Sequence, residues 1–474
     1  VFVATRLLHS TVTLSLALSP QGRGDKGRDC GKLSPMNSRP NFIFILADDL
    51  GSADLGCYGG AGASFDVSPN IDRMAKDGLR FTHALANSPV CSPTRFALMT
   101  GRYQYRFRGA AEEPMGGNAR GSSVLGLPPE IPTLASRLRD AGYRTALTGK
   151  WHLGHSPTFG PRQSGYDYFF GATAGAIDYF THMDSRGNHD LWENETEIHE
   201  EGYFTDMVSD RAVKWIDEQS PESPFLLSVH YTAPHWPWET RDDREEALRI
   251  SPKISHIDGG SLDKYWRMIH HMDEGIGRML AALEAKGLAD NTLVIFTSDN
   301  GGERYSKNWP FMGGKMDLLE GGLRVPLVAR WPARINAGGV SATPNLTMDW
   351  TATMLSAAGV ADSADAPLDG VDMAPVLAEP TSNPPRKFYW RMNHRKQAAM
   401  REGRWKYLAI DSHEYLFDVE ADPRERANLA KRDPARLETM RVEWQAWAAT
   451  MPGIPPDAQV HLVFSEAELP RATF

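Results

Sequence analysis

Two pairs of oxygen-bearing residues stand out in this 474-residue sequence, because each directly follows a short apolar run. Asp48 and Asp49 follow NFIFILA, residues 41–47; Asp299 and Asn300 follow TLVIFTS, residues 292–298. A chain leaving strand geometry can turn neighbouring carboxylates toward one point. Oxygen donors from two strand ends suit a hard cation, Ca²⁺ ahead of Mg²⁺, better than zinc. Next comes Cys91-Ser92-Pro93-Thr94-Arg95. Pro93 suits the first turn of a helix, so Cys91 lies where partial positive charge favours an anion, with Arg95 one turn along the same face. A cysteine-phosphatase loop would need arginine six residues after the cysteine, and Ala97 stands there. Lys150 and His152 sit two apart in GKWHLG, His235 lies in HYTAPHWPW, and Lys315 lies in MGGKMDLLEGG. Each of these alone reads as a turn, a buried thiol, a satisfied histidine or a solvated charge. Together they describe a pocket for a tetrahedral oxyanion ester. His230, His270 and His271 have no such partner spacing and read as structural. Tyr179, Trp236, Trp238, Tyr305 and Trp309 fall in rim segments, where aromatics stack on aryl or sugar groups as often as they serve packing.

The elements that must position these residues alternate. Apolar β-rich runs at 41–47, 144–149, 225–231, 292–298 and 325–331 are separated by amphipathic stretches that predict helices over 68–78, 132–141, 205–219 and 262–286. Ser68 is the expected cap of the first helix, and Gly287 closes the last. Such alternation predicts an α/β fold, a mostly parallel sheet with helices on both faces, and ligands at the carboxyl ends of the strands. The pattern changes after about residue 365. FYWRMN, KQAAMREGRWKYLAI and EYLFDV read as short antiparallel strands, followed by a helix over 434–449. The expected organisation is therefore a non-domain extension over 1–35, a catalytic α/β domain over 36–365 and a smaller α+β domain over 366–474.

Composition narrows the function. With 51 Lys+Arg against 60 Asp+Glu, the formal charge is −9, and an acidic balance argues against broad nucleic-acid or anionic-membrane binding. No apolar run of spanning length occurs, so no membrane span is expected. Cys30, Cys57 and Cys91 are too few for a disulfide framework. The first 35 residues read either as a diluted signal peptide or as sequence upstream of a true start at Met36. A Met36 start implies a cytoplasmic protein; a real signal implies a periplasmic or secreted one.

C-x-P-x-R at 91–95 with TGR at 100–102, ADDLG at 47–51, GKWHLG at 149–154 and SDNGG at 298–302 occur in the order seen in the type I sulfatases, a family within the alkaline phosphatase superfamily, and residues 38–435 resemble it. The resemblance implies an alkaline-phosphatase-like fold with a small C-terminal four-stranded domain. It implies an arylsulfatase-like hydrolase of a small-molecule or carbohydrate sulfate ester. It also implies that Cys91 is oxidised to formylglycine by a transiently bound formylglycine-generating enzyme. Carried over residue by residue, Asp48, Asp49, Asp299, Asn300 and the modified Cys91 resemble the ligands of a calcium ion, and Arg95 would stabilise the aldehyde hydrate. Lys150 and Lys315 would bind sulfate oxygens, His235 would protonate the leaving group, and His152 would take the proton from the remaining hydroxyl. A phosphonate monoester or phosphodiester hydrolase on the same scaffold and an unmodified, non-catalytic binding protein are the alternatives. Oligomeric state is open.

Overall fold

Every residue of Asn41–Ala47 is buried, which fits a strand covered on both faces of a sheet. The computed structural model describes residues 39–60, 65–251, 254 and 259–461. The extension expected over 1–35 lies outside the described residues. In chain order, the strands of the large sheet are β1 (Asn41–Ala47), β2 (Leu79–Phe81), β3 (Arg144–Lys150), β4 (Tyr168–Ala172), β5 (Trp192–Glu193), β6 (Thr196–Glu197), β7 (Phe225–His230), β8 (Thr292–Ser298), β9 (Leu327–Arg330) and β10 (Gly339–Ser341). Their spatial order is β10-β2-β9-β8-β1-β7-β3-β4-β5-β6. The five central strands, β8-β1-β7-β3-β4, are all parallel. The run read at 325–331 becomes β9, which is antiparallel to β8. Between them the only α-helix among the described residues is Glu320–Leu323, and an antiparallel neighbour needs no long crossover helix.

The period-two alternation of β1 feeds two cores. Ile43, Ile45 and Ala47 pack with α1 (Pro69–Lys76), with the helix Phe204–Asp217 and with the helix Leu262–Ala285. Phe42, Phe44 and Leu46 pack on the other face with α2 (Cys91–Thr100) and with the helices Leu134–Asp140 and Asp349–Ala357. Ser68 does occupy the cap position of α1, but its hydroxyl accepts from Gly56 N and donates to Asp72 instead of capping. Gly287, at φ 67°, follows the end of the long helix as expected.

The C-terminal strands β11 (Lys387–Arg391), β12 (Ala398–Glu402), β13 (Trp405–Ile410) and β14 (His413–Asp418) form an antiparallel meander. One face packs with Val90, Cys91, Ala97 and Leu318; the other covers Met440 of the helix Pro434–Ala448. This sheet therefore braces the helix that carries Cys91. Trp390 Nε1 donates to Ala86 O (3.0 Å), and Gln397 both accepts from Leu318 N (2.8 Å) and donates to Met316 O (2.8 Å), beside Lys315. No helix among the described residues is long and apolar enough to cross a membrane.

Candidate active site

Register decides which residues meet. Ala47 of β1 pairs with Ser298 of β8, so Asp48-Asp49 and Asp299-Asn300 leave adjacent strands at the same height. Asp49 takes φ 61°, a left-handed conformation that aspartate tolerates better than most residues. That turn frees the second carboxylate from strand alternation. Asn300 Nδ2 donates to Asp49 Oδ1 (2.7 Å), and Ser298 Oγ accepts from Leu50 N (3.0 Å). Two strands along, Gly149 pairs with His230. Gly149 sits at φ 106°, and a Cβ there would fall 2.0 Å from His230 O, so only glycine lets β3 deliver Lys150.

Helix α2 begins at Cys91 and is buried along its whole length. Thr94 Oγ1 pins the preceding loop, accepting from Ser88 N (2.9 Å) and donating to Ser88 O (2.8 Å). Ser92 Oγ accepts from Met115 N (2.8 Å), and Met115 O in turn lies 2.7 Å from His152 Nε2. The cysteine motif thus also orients a histidine. These hydroxyl and backbone links had no signature of their own in the sequence.

Arg95 is fully buried and donates from Nε (3.0 Å) and Nη2 (2.9 Å) to Asp299 and from Nη1 to Lys150 O (3.1 Å), with Asp48 3.7 Å away. Lys150 Nζ donates to Asp48. Lys315 Nζ donates to Asp49 (2.7 Å) and lies 3.5 Å from Glu303. His235 Nε2 is 3.6 Å from Asp49 Oδ2, its Nδ1 2.6 Å from Trp236 O. Of the ten candidate catalytic and metal-binding residues, eight therefore join in one network, and Cys91 and His152 lie on the cavity wall beside it.

Above this network lies a cavity of about 410 Å³ whose wall includes Cys91, His152, His235, Trp236, Glu303 and Lys315. Lys150 stands one layer back, on Asp48, and is not part of the wall. Tyr179 is buried and donates to His235 O (2.9 Å), so it holds a candidate acid rather than forming a rim. Trp238 is buried edge-on against Tyr305, and Trp309 is exposed beneath the guanidinium of Arg424. Of the five aromatics, Trp236 alone lines the cavity.

The electrostatics follow from burial. Burial pushes the Cys91 thiol up to about 11 despite Lys150 and Lys315, so the encoded cysteine is protonated at neutral pH and is a weak nucleophile. Burial and then Lys315 bring His235 down to about 3, and burial with Lys150 takes His152 well below its usual range. Burial opposes ionisation of Asp49, yet Lys315 and His235 hold it well below the usual carboxylate range. Burial, then Asp48, pushes Asp299 up to about 7. Asp48 Oδ1 and Asn300 Oδ1 are buried without a hydrogen-bond partner, an arrangement expensive to leave empty. Ligand atoms of Asp48, Cys91 and Asp299 lie within 4.8 Å of one another, as do those of Asp48, Asp49 and His235. This donor set fits a hard divalent cation.

The comparisons with known proteins agree. A family model described as Sulfatase matches residues 40–360, and one described as N-sulphoglucosamine sulphohydrolase, C-terminal, matches residues 312–444. The N-acetylgalactosamine-6-sulfatase of Canis lupus familiaris is 33% identical over 77% of this chain and 69% of that protein. That of Homo sapiens is 32% identical over 74% and 68%. Among solved structures, Ps i-CgsB in complex with k-i-k-neocarrahexaose shares the fold with a TM-score of 0.75 at 32% identity, covering 87% of this chain and 94% of that one. A buried acid–base network at parallel strand ends, carried by a chain that matches the sulfatase model over most of its length, has one reading: the chain belongs to the sulfatase family and is a sulfatase.

Proposed function

We propose that the protein cleaves a sulfate ester of a sugar by way of formylglycine formed from Cys91, with a hard divalent cation held by Asp48, Asp49, Asp299 and Asn300. The observation that carries the reading is the placement of Cys91: on the cavity wall, at a helix start, with its sulfur within 4.8 Å of ligand oxygens of Asp48 and Asp299. The hydrated aldehyde would supply one hydroxyl to attack sulfur and a second whose deprotonation expels sulfate from the first oxygen and regenerates the aldehyde. The cation, Ca²⁺ ahead of Mg²⁺, supplies Lewis-acid charge for a sulfate oxygen.

The chain's own residues do the rest. Lys315, on the wall, binds sulfate oxygens; Lys150 and Arg95, behind it, offset the carboxylates and keep the site receptive to an anion. Neutral His152, held through Nε2 by Met115 O, has Nδ1 free to accept a proton. His235 protonates the leaving oxygen, because a sulfate beside it adds the negative charge that favours the imidazolium. The relatives named as N-acetylgalactosamine-6-sulfatases support a sulfated sugar as the substrate.

Mass spectrometry of the peptide Phe81–Arg95, from protein made with a formylglycine-generating enzyme, tests the reading. It should be lighter than encoded, refuse thiol alkylation and react with a hydrazide. Turnover of matched nitrophenyl sulfate and phosphorus esters completes the test, and a large preference for the phosphorus ester overturns the assignment.

A further inference from the structure

Two permanently charged cations line the cavity among the described residues, and they are not equivalent. Lys315 is committed to Asp49 and Glu303. Arg186, also on the wall, makes no side-chain hydrogen bond or ion pair among the described residues. Its freedom is built in. The two acids nearest in sequence, Asp184 and Asp190, are both taken by Arg120, each at 3.2 Å. Asp184 Oδ1 also accepts from Arg186 N (2.8 Å) and Asn188 N (2.9 Å), which closes the loop on itself, while Asp190 accepts from Thr173 N (2.9 Å) and Ala174 N (2.6 Å). The bridge between Met183 and His189 ties the loop's base. A rigid hairpin therefore presents an arginine whose charge has been left unspent.

The opposing surface is cut to receive it. Gly116 and Gly117 form a floor on the same wall, and a Cβ on Gly117 would lie 2.1 Å from Arg186 Nε. A Cβ on Gly116 would lie 2.7 Å from His461 Nε2, so two side chains from distant segments lie on this bare backbone. Around them His155, Thr173, Ser185 and His461 offer polar edges, and Trp236 offers a ring face. The carboxylates on the wall are Asp184, spent as described, and Glu303, beside Lys315.

We propose that Arg186 is a specificity-determining residue that binds a second anionic group, a carboxylate, on the sugar portion of the substrate, which makes the preferred substrate a polyanionic saccharide. The inference rests on the sulfatase reading of the same cavity. A guanidinium on a preformed platform matches a planar carboxylate through two parallel hydrogen bonds. An aryl sulfate without that group leaves the arginine unused.

The test uses the formylglycine-loaded full chain and a panel of sulfated disaccharides covering each ring position, each with a uronic carboxylate and again with that carboxyl reduced to the alcohol. The wild type should prefer a carboxylate-bearing member over its reduced partner by about tenfold or more in kcat/KM, mainly through KM. Arg186→Gln should collapse that ratio to near one, Arg186→Lys should restore part of it, and melting temperature should not move, since Arg186 is exposed. Equal rates on both partners, a ratio unchanged by Arg186→Gln, or turnover of nitrophenyl sulfate with no disaccharide accepted would each overturn the inference alone. Failure to hydrolyse any sulfate ester would overturn the underlying sulfatase mechanism instead.

Discussion

Two of the buried clusters of acids and bases among the described residues differ in what they face. The first joins Asp48, Asp49 and Asp299 to Arg95, Lys150 and Lys315. The second joins Glu320 and Glu425 to Lys406, Arg324 and Arg401, where the chain after the site meets the C-terminal sheet. In the second, every carboxylate oxygen has a cation or N–H within 3.0 Å: Lys406 reaches both glutamates, meeting Glu425 Oε1 as an ion pair outside hydrogen-bond geometry, Arg324 takes Glu320 Oε2, and Glu425 Oε2 accepts from Glu320 N; none of these residues lines the cavity. In the first, Asp48 Oδ1 and Asn300 Oδ1 are left without a partner, and Cys91 and Lys315 open onto a cavity. Similar residue types at similar burial therefore do different things. A cluster closed on itself and set away from the cavity clamps two parts of the fold together; one whose unpaired oxygens lie beside the cavity is arranged for a ligand.

Substitutions should separate the two roles. The largest effect is expected from Cys91→Ala, a loss in kcat of about 10⁴-fold or more, as for removal of a nucleophile, with a nearly unchanged melting temperature; activity within tenfold of wild type would remove Cys91 from the chemistry. Lys406→Met should do the reverse. Leaving Glu320 and Glu425 buried without their shared cation costs about 3–5 kcal/mol of stability, read by denaturant titration, while kcat per folded molecule stays the same. Lys150→Met comes next, with kcat lowered about 10²–10³-fold and a smaller loss of stability when a divalent cation is supplied to Asp48. If both lysines moved stability and neither moved kcat, the distinction between the clusters would be lost.

Much of the first cluster was legible because its residues lie in short motifs at the ends of strands, and parallel strands put those ends on one edge. Asp48-Asp49 and Asp299-Asn300 could be paired without knowing the register, since any parallel pairing of β1 with β8 brings them near. What supports them was not legible. Met115 acts through a backbone carbonyl, Ser92 and Thr94 through hydroxyls, and Gln397 from the residue just before β12, about eighty residues beyond Lys315. Backbone atoms carry no residue-type signal, and long-range partners carry no spacing. The second cluster was invisible for the same reason: Glu320, Lys406 and Glu425 lie far apart in the chain and meet only where the C-terminal sheet packs on the body. Tyr179 and Trp238 were readable as aromatics, while burial, which depends on the fold, decided that neither is a rim residue.

A divalent cation should sharpen the contrast further. At pH 7, Ca²⁺ at about a hundred times its Kd should stabilise the wild type by about 2.7 kcal/mol, should do so equally in Lys406→Met, and should not do so in Asp299→Ala. A shift that survives in Asp299→Ala would place the ion elsewhere.

The smallest effect is the response of the closed cluster to acid, because its two carboxylates oppose each other. Burial alone would raise Glu320, yet Lys406, Arg324 and Arg401 hold it well below its ordinary 4.5. A depressed acid contributes stability that is present above that ordinary value and is lost as pH falls through the folded one. Glu425 is pushed up by burial, with Lys406 pulling the other way. Its contribution is present below 4.5 and lost as pH rises through its folded value, so the two act with opposite sign on opposite sides of 4.5 and leave little net change between neutral and acid pH. Glu320→Gln removes one of them. The variant should be less stable than the wild type at neutral pH, where three cations lose their shared carboxylate. The gap should close as pH falls below 4.5 and the wild type loses the same charge. A gap that stays constant from neutral to acid pH would mean that Glu320 acts by shape and hydrogen bonding alone, and that the closed cluster is not held by charge.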